Sequence, residues 1–429
     1  MENKYDTILP NINNRSCKML FLGGSAQQII AIETAKRLGL YTILCDYLPD
    51  NPGQFYSDRF YQISTTDKEA ILKVAVKEKI DYIIAYASDP AAPTAAYVAE
   101  KMGLPTNPYV AVETLCNKDM FREFLSSHGF NSPRAYGFTS KNDVFADIVD
   151  FTLPIIIKPV DSSGSKGATI VRDLNSLDKA IDNAFSFSRS HRIIIEEFIE
   201  KKHPFLIGGD IFVSDGRIIQ WGLMNCHRDS SVNPLVPVGK SYPPLIESSE
   251  LQSMKNTLEK LVTDLGIRFG PMNVELIIDI HNRVFPIDIG PRSGGNMIPD
   301  LLGLVFNCDV VEMSIRAAMG QSIYIKNNTA IPYYASLNLH SNREGIFERI
   351  DFSEELSRYI VRKHIYKKIG DKVEYFSNAS KALGVVIFKF PDQETMIEME
   401  SQMNAHVHIV LRDNLETKFE TKRKQVEKT

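Results

Sequence analysis

The fold is decided by the stretch from Asn273 to Asn296, NVELIIDIHNRVFPIDIGPRSGGN. Two runs rich in β-branched residues, 274–280 and 284–289, lie on either side of His281-Asn282-Arg283. Runs of this composition around a short polar segment are typical of paired strands joined by a turn. The stretch therefore predicts a β-hairpin.

The hairpin predicts a pair of facing carboxylates. A turn centred on residues 281 and 282 places Glu275 directly opposite Asp288, with Cβ atoms roughly 5 Å apart. Leu276 and Ile278 then face residues 287 and 285 on the other surface, which can be buried. Facing carboxylates repel each other unless a cation lies between them, and Mg²⁺ typically binds one or two carboxylates plus substrate phosphates. The alternative is a solvent-facing hairpin with two unrelated acids. The loop that follows presents one guanidinium, that of Arg292.

Composition limits the classes of protein to which the chain can belong. Its 429 residues predict two to four domains, and 44% apolar and 24% charged residues are ordinary for a soluble globular protein. The net charge of −4 gives no basic field for nucleic acid or an acidic membrane. No apolar run approaches the 18 or so residues of a membrane span. Five scattered cysteines indicate reduced thiols in a cytoplasmic protein.

The N-terminal part has the pattern of an open α/β domain. An apolar strand at 18–22, a Gly-Gly-Ser loop, a helix at 28–38 and a strand at 41–46 form a βαβ unit. A dinucleotide-binding loop would need a glycine where Gln28 stands, so the spacing argues against such a site. Helices at 67–78 and 90–101 and a strand at 82–86 continue the pattern over about 110 residues.

A buried lysine and a small-residue loop predict a phosphate site. The run Pro154–Pro159 is an apolar strand that contains Lys158, and a buried ammonium needs a compensating anion. The following loop, Ser162-Ser163-Gly164-Ser165-Lys166-Gly167, can place backbone N–H groups on a phosphate. The Walker pattern is absent. The alternative is a plain hairpin with a lysine at its edge.

Further charged side chains follow at element ends. Lys118 begins an amphipathic helix over 117–125, and a strand at 192–199 runs into Glu196-Glu197. Asn233 to Lys240, NPLVPVGK, is interpreted as a Pro-rich loop. Arg228, just before it, is either a ligand for a substrate carboxylate or an ordinary surface arginine. A helix over 251–265 leads into the hairpin.

The order of these features resembles the ATP-grasp superfamily. The likeness covers about residues 16–330 and is greatest to its carboxylate–amine ligases, such as L-amino-acid ligases and glycinamide ribonucleotide synthetase-like and carbamoyl-phosphate-synthase-like proteins. The resemblance implies an α/β and α+β chain. An N-terminal open α/β domain precedes two lobes that clasp ATP, and a C-terminal α+β extension follows.

The resemblance implies an ATP site. Lys118 and Lys158 match the lysines that hold the phosphates, and His203 falls near the position of a ribose-contacting residue. The mobile loop that closes over the phosphates matches Ser163, Gly164, Ser165, Lys166 and Gly167. The strand whose backbone reads the adenine edge matches Glu196, Glu197, Phe198 and Ile199.

The resemblance also implies the groups that act on the reacting atoms. Glu275 and Asp288 match the ligands of Mg²⁺ or Mn²⁺, and Arg292 matches the arginine that steadies the transferring phosphoryl group and the substrate carboxylate. Arg292 and Lys158 are therefore the expected catalytic residues. The family usually reads acid-x-Asn-x-Arg, whereas this chain has Gly290 in place of the asparagine. Either the second metal has fewer protein ligands, or a nearby group such as Asn296 replaces the missing one.

The implied function is an ATP-dependent ligase that joins a carboxylate to an amine through an acylphosphate and releases ADP and phosphate. The alternatives are a bicarbonate-using carboxylase or carbamoyl-phosphate-type enzyme and a non-catalytic ATP-binding protein. Small-molecule substrates are expected, with no nucleic acid or membrane partner. We expect packing and homodimer contacts in the C-terminal extension. The implied division is a polar lead-in (1–16), an N-terminal domain (17–114), an ATP-grasp domain (115–330, with a mobile lid at about 134–200), the extension (331–415) and a charged tail (416–429).

Overall fold

The computed structural model describes residues 16–325 and 332–413, so nearly all of the predicted lead-in and all of the charged tail lie outside the described residues. The strands are β1 (Lys18–Leu22), β2 (Tyr41–Asp46), β3 (Arg59–Gln62), β4 (Tyr82–Ile84), β5 (Ala135–Phe138), β6 (Ile155–Pro159), β7 (Thr169–Val171), β8 (Ile193–Glu197), β9 (Leu206–Ser214), β10 (Arg217–Asp229), β11 (Asn233–Tyr242), β12 (Gly270–Ile278), β13 (Val284–Gly290), β14 (Tyr333–Leu339), β15 (Gly345–Phe352), β16 (Ile360–Ile365), β17 (Lys372–Val373), β18 (Gly384–Phe390) and β19 (Val407–Arg412). The α-helices are α1 (Ile29–Arg37), α2 (Lys68–Glu78), α3 (Ala92–Met102), α4 (Tyr109–Cys116), α5 (Lys118–Ser127), α6 (Lys141–Asp147), α7 (Leu177–Phe187), α8 (Ser248–Asp264), α9 (Ile298–Phe306), α10 (Val310–Ala318), α11 (Glu354–Ser357), α12 (Gln393–Ser401) and α13 (Met403–His406).

The N-terminal domain is built on a parallel sheet with strand order β3-β2-β1-β4. The predicted strands at 18–22 and 41–46 are confirmed residue for residue, because each is an apolar run bounded by polar or turn residues. Helix α2 begins after Asp67, whose side chain accepts a hydrogen bond from the backbone of Ala70. The carboxyl ends of these strands lie at one edge of the sheet, where ligands bind in open α/β folds.

A smaller antiparallel sheet, with order β5-β8-β6-β7, lies within the predicted lid of about 134–200, which is called the lid below. Helices α6 and α7 cover one face of this sheet through a core that includes Val144, Ile157 and Ile181. The other face carries Lys158. Strands β6 and β8 therefore carry isoleucines on the face that packs against the helices, and charged residues on the opposite face.

The central sheet has eight strands in the order β13-β12-β9-β10-β11-β14-β18-β16. Helix α8 packs on one face, and α9 and α10 pack on the other. Strands β14, β16 and β18 come from residues after 330, so the sheet continues across the predicted boundary of the C-terminal extension. A three-stranded sheet, β17-β15-β19, completes that region.

The predicted hairpin is present as β12 and β13, and Glu275 is the direct partner of Asp288. The expected pairing beyond this point was wrong. A register shift after Glu275 places Leu276 opposite Pro286 and Ile278 opposite Val284, because the second strand contains one extra residue. The alternation along β12 still sends Leu276 into the core against α8 and leaves Glu275 on the opposite face.

The interpretation of residues 233–240 as a loop was also wrong, because they form most of β11. This strand pairs with β10 and with β14. Pro237 lies opposite Arg228 at a register shift, where the ladder is interrupted and a missing N–H donor is tolerated. Within the part of the chain that the structure describes, no helix is both long and apolar enough to cross a membrane.

Candidate active site

The two facing carboxylates each have a cationic partner in the structure. Arg228 Nη2 lies 3.0 Å from Glu275 Oε1, and Lys118 Nζ lies 3.7 Å from Asp288 Oδ1. Arg228, from β10, and Lys118, from the start of α5, reach the hairpin from different parts of the chain. The Arg228 side chain is largely buried beside Glu275, unlike an ordinary surface arginine, and its contact with a substrate carboxylate stays a prediction.

The electrostatics of Asp288 show that several cations converge on it. Burial raises the pKa of its carboxyl group, but the charges of Lys118, Lys158 and Arg292 outweigh burial and hold the pKa below its usual range. About half of the Asp288 side chain, 48%, is accessible to solvent. Asp288 is therefore a reachable carboxylate beside Lys118, and the charges of Lys158 and Arg292 also favour its ionised form.

Lys158 belongs to a buried ion-pair cluster. Its Nζ lies 2.7 Å from Glu196 Oε2, and Glu196 Oε1 lies 2.9 Å from Arg122 Nε. Burial lowers the pKa of Lys158, and the charges of Arg122 and Lys118 lower it further against the opposing effect of Glu196. The Glu196 carboxylate therefore compensates the buried ammonium, and the contact of Lys158 with a phosphate stays a prediction.

Sequence reasoning missed Arg122 and the role of the Glu196 side chain. Arg122 also donates to the carbonyl of Ile287 over 2.7 Å, so it connects α5, the lid and the hairpin. The available signal was an arginine between Phe121 and Leu125, both of which point into the core from α5. A charged residue on the buried face of an amphipathic helix indicates an internal partner.

The small-residue loop after β6 lies between Lys118 and the central sheet. Lys118 Nζ donates to the carbonyl of Ser162 over 2.9 Å, and Ser165 Oγ donates to the carbonyl of Leu235 in β11 over 2.8 Å. Ser165 and Gly167 have positive φ angles of 60° and 74°. The same turn contains Ser163, Gly164 and Lys166. The predicted loop therefore lies next to Lys118 and follows the strand that carries Lys158.

The predicted adenine-binding stretch, 196–199, begins in the last two residues of β8 and continues into the segment that connects to the central sheet. The Glu197 side chain accepts a hydrogen bond from the backbone of Thr152, and the backbone of Phe198 donates to the carbonyl of Pro154. Ile199 continues the chain toward His203, whose ring lies 3.1 Å from Glu250 of α8. The assignment of these residues to adenine and ribose stays a prediction.

Arg292 lies where the loop after β13 of the central sheet contacts the N-terminal domain. Its Nε donates to Asp89 Oδ1 over 2.7 Å, its Nη2 donates to Asp89 Oδ2, and its Nη1 donates to the carbonyl of Ser293. Burial lowers the pKa of Arg292, but Asp89 raises it more, so the guanidinium stays charged. Sequence reasoning missed Asp89, which lies in the loop between β4 and α3. The backbone N–H of Asn296 donates to Gln27 Oε1, so this residue faces the N-terminal domain.

A second buried acid fixes the loop that contains Arg292. Asp210 of β9 accepts hydrogen bonds from the backbone of Gly294 over 2.7 Å and from Asn273 Nδ2 over 2.9 Å. Burial raises the pKa of Asp210 above its usual range despite these donors. The sequence offered no signal for this residue, because an acid in a strand reveals its partners only once the sheet is assembled.

The donor set is suitable for a divalent cation that also binds phosphates. Among residues 16–325 and 332–413, no three His, Cys, Asp or Glu side chains cluster so as to hold a metal by themselves. Glu275 and Asp288 offer carboxylate oxygens from facing positions. Mg²⁺ is commonly bound by one or two carboxylates together with substrate phosphates, so two facing acids with Lys118 beside them fit this group.

Comparison with known sequences places the chain in a family. A family model described as "ATP-grasp domain" matches residues 151–300. A formate-dependent phosphoribosylglycinamide formyltransferase of Prochlorococcus marinus is 31% identical over 309 residues, which cover 71% of this chain and 76% of the relative. The enzyme of the same name from Methanocaldococcus jannaschii is 27% identical over 317 residues, 72% of this chain and 78% of the relative.

Solved structures share the fold. An L-amino acid ligase from Bacillus licheniformis superposes with a TM-score of 0.76 at 19% identity, over 93% of this chain and 100% of that one. A phosphoribosylglycinamide synthetase from Anaerococcus prevotii gives a TM-score of 0.72 at 19% identity, with 93% and 100% covered. The lobes, the site geometry and these relatives together show that the chain belongs to the ATP-grasp superfamily and is an ATP-dependent ligase that joins a carboxylate to an amine.

Proposed function

We propose that this ligase binds the ATP phosphates with Lys118, Lys158 and the loop 163–167, and that Arg292 contacts the transferring phosphoryl group and the substrate carboxylate. The observation that carries the proposal is that Lys118 Nζ lies 3.7 Å from Asp288 Oδ1 and donates to the carbonyl of Ser162 in the loop, while the charges of Lys118, Lys158 and Arg292 all lower the pKa of Asp288. These cations come from the N-terminus of α5, the lid and the loop after β13. Together they form a site for a group that carries several negative charges.

The reaction has two steps. A carboxylate oxygen of the substrate attacks the γ-phosphorus of ATP, the bond to the ADP oxygen breaks, and an acylphosphate forms. The amine nitrogen then attacks the acyl carbon, phosphate leaves, and the proton released by the amine passes to phosphate or water. The residues accelerate the first step by orienting the reactants and stabilising charge on the phosphoryl oxygens. Mg²⁺ on Glu275 and Asp288 would neutralise part of the phosphate charge.

The names of the relatives supply the first substrate pair for testing. Because relatives with 31% and 27% identity are formate-dependent phosphoribosylglycinamide formyltransferases, we propose formate as the carboxylate and phosphoribosylglycinamide as the amine. A pair of amino acids is the second candidate, since the L-amino acid ligase structure matches over 93% of the chain. We place the reaction in the cytoplasm, consistent with the free thiols of the five cysteines. A homodimer through the C-terminal extension stays part of this proposal.

The test is ADP release with each substrate pair, followed by product analysis. With the correct carboxylate and with hydroxylamine in place of the amine, the enzyme should form a hydroxamate together with ADP and phosphate. AMP and pyrophosphate would show adenylation and contradict the phosphoryl-transfer mechanism. Bicarbonate serves as the comparison carboxylate, because ADP release with bicarbonate alone would identify a carboxylase-type reaction.

A further inference from the structure

The position of Gly290 reveals how Arg292 is oriented. A Cβ atom added to Gly290 would lie 2.2 Å from Asp89 Oδ1, and only slightly over 3 Å from the guanidinium of Arg292, at 3.1 Å from its Nε. The φ angle of Gly290 lies outside the left-handed region, so alanine would meet no backbone strain there. Glycine is therefore required here because a Cβ atom has no room, and not because of the backbone conformation. The Asp89 carboxylate fills that space.

The contact between Asp89 and Arg292 defines the direction of the guanidinium. A guanidinium has five N–H donors, and this one directs two of them to Asp89 and one to the carbonyl of Ser293. The edge formed by Nε and Nη2 is therefore occupied, and the two terminal nitrogens each keep one N–H for another anion. A two-point contact of this kind restricts the planar group more strictly than one hydrogen bond does.

We propose that Asp89 is the positioning residue for Arg292, and that Gly290 is the residue that makes room for it. The inference rests on the role proposed above for Arg292. Because the ion pair is neutral as a whole, Asp89 contributes little long-range attraction for nucleotide. Asp89 instead affects the hydrogen bonds that Arg292 makes to the phosphoryl group while this group is being transferred.

The first experiment uses ADP with aluminium fluoride and Mg²⁺, a mimic of the phosphoryl group in transit that needs neither carboxylate nor amine. Wild-type protein should bind ADP with aluminium fluoride much more tightly than ADP alone, as transition-state mimics do. Asp89→Asn should weaken binding of the mimic by about 10- to 100-fold, the effect of losing hydrogen bonds to a charged group, and should not weaken ADP binding, because it removes an anion and no cation from the site. Titration calorimetry measures both.

A double-mutant cycle separates positioning from a general structural effect. Arg292→Ala should weaken binding of the mimic at least as much as Asp89→Asn, and the double variant should be no weaker than Arg292→Ala. Arg37→Gln is the matched control, because Arg37 forms another ion pair between the N-terminal domain and α10, 3.1 Å from Asp309. This control should bind the mimic as the wild type does. Additive losses, or equal losses for ADP alone, would overturn the inference.

Gly290→Ala tests the steric part without changing a charge. The added methyl group should displace Asp89 and weaken binding of the mimic by a factor similar to that of Asp89→Asn, with no further loss when the two are combined. Normal binding by Gly290→Ala or by Asp89→Asn would overturn the inference and leave the proposed ligase reaction intact. If wild-type protein binds the mimic no more tightly than ADP, both the proposed role of Arg292 and the inference fail.

Discussion

Lys158 lies in a buried ion-pair cluster with Glu196 and Arg122, and substitution measures its contribution to nucleotide binding. Lys158→Ala should weaken binding of a non-hydrolysable ATP analogue by about 1.5–3 kcal/mol, the range for hydrogen bonds to charged groups. Lys141→Ala is the control, since Lys141 is a lid lysine that pairs with Asp178 and Asp182. Unchanged affinity in Lys158→Ala would make that lysine purely structural.

The same cluster predicts a pH dependence. The pKa of Lys158 is lowered by burial, so this lysine loses its proton at a lower pH than an ordinary lysine. The charge that attracts phosphate is present below that pKa and is lost as the pH rises through it. Affinity for the ATP analogue should therefore fall in alkaline solution, and Lys158→Arg should shift the fall to higher pH, because arginine keeps its proton. An identical pH profile for both proteins would contradict this.

Short-range partners were predictable from sequence, and long-range partners were not. Glu275 and Asp288 were assigned as partners because a hairpin fixes which residues face each other over a short stretch. Asp89 and Arg292 are separated by 203 positions, and no local pattern links them. Arg122 was missed for the same reason, since its partner Glu196 belongs to the other lobe.

At the level of single elements, the loop after β6 is the segment whose order should depend on nucleotide. Its small residues and two glycines make few packing contacts, and the phosphate is the group it would close on. Amide exchange over 162–167 should slow on addition of an ATP analogue. Helix α6, in the same lid, is the internal control and should not change. Equal protection with and without the analogue would contradict the prediction.

Helix α2 is attached to its sheet by one buried acid. Glu78 accepts hydrogen bonds from Tyr61, from Arg59 over 2.6 Å and from Lys18 over 3.2 Å. The hydrogen bond from Tyr61, opposed by burial and reinforced by Arg59 and Lys18, lowers the pKa of Glu78 to about 2.

Glu78 should therefore make folding more favourable above its unfolded pKa, and this contribution should disappear as the pH falls from about 4.5 to about 2. In Glu78→Gln, the free energy of unfolding should be lower at pH 7 and should depend less on pH in that window. Urea unfolding at several pH values measures both effects. Glu33→Gln, at an exposed position of α1, should keep the wild-type slope.

Strands were predictable from the sequence where the composition of the segment is the one expected for its position in the sheet. The isoleucine runs of β6 and β8 and the apolar runs of β1 and β2 were recognised because β-branched or apolar residues fill buried strands. Strand β11 was missed because prolines normally end a strand, and its register shift, which accommodates Pro237, exists only in the assembled sheet. Strand β3, with the sequence RFYQ, lacks the apolar run that marks its neighbours.

For the whole molecule, the continuous central sheet predicts that the ATP-grasp part cannot be separated from the rest. A chain that ends at residue 330 leaves the edge of β11 without β14, whose register extends from Leu337 to Tyr334. Unpaired strand edges associate with other chains. This truncated chain should aggregate, as measured by size-exclusion chromatography, whereas a chain that ends at residue 413 keeps every strand of the sheet. A monomeric 330-residue chain with cooperative unfolding would contradict this.

The order of strands in that sheet also has a consequence for biosynthesis. The ribosome releases β11 well before it has made β14 and β18, which lie at residues 333–339 and 384–390. At ordinary elongation rates of about 5–20 residues per second, the edge of β11 waits on the order of ten seconds for β14, its neighbour in the sheet. During that interval the nascent chain exposes the unpaired N–H and C=O groups along this edge. Until translation passes residue 339, the nascent chain is therefore open to pairing with other chains at this edge.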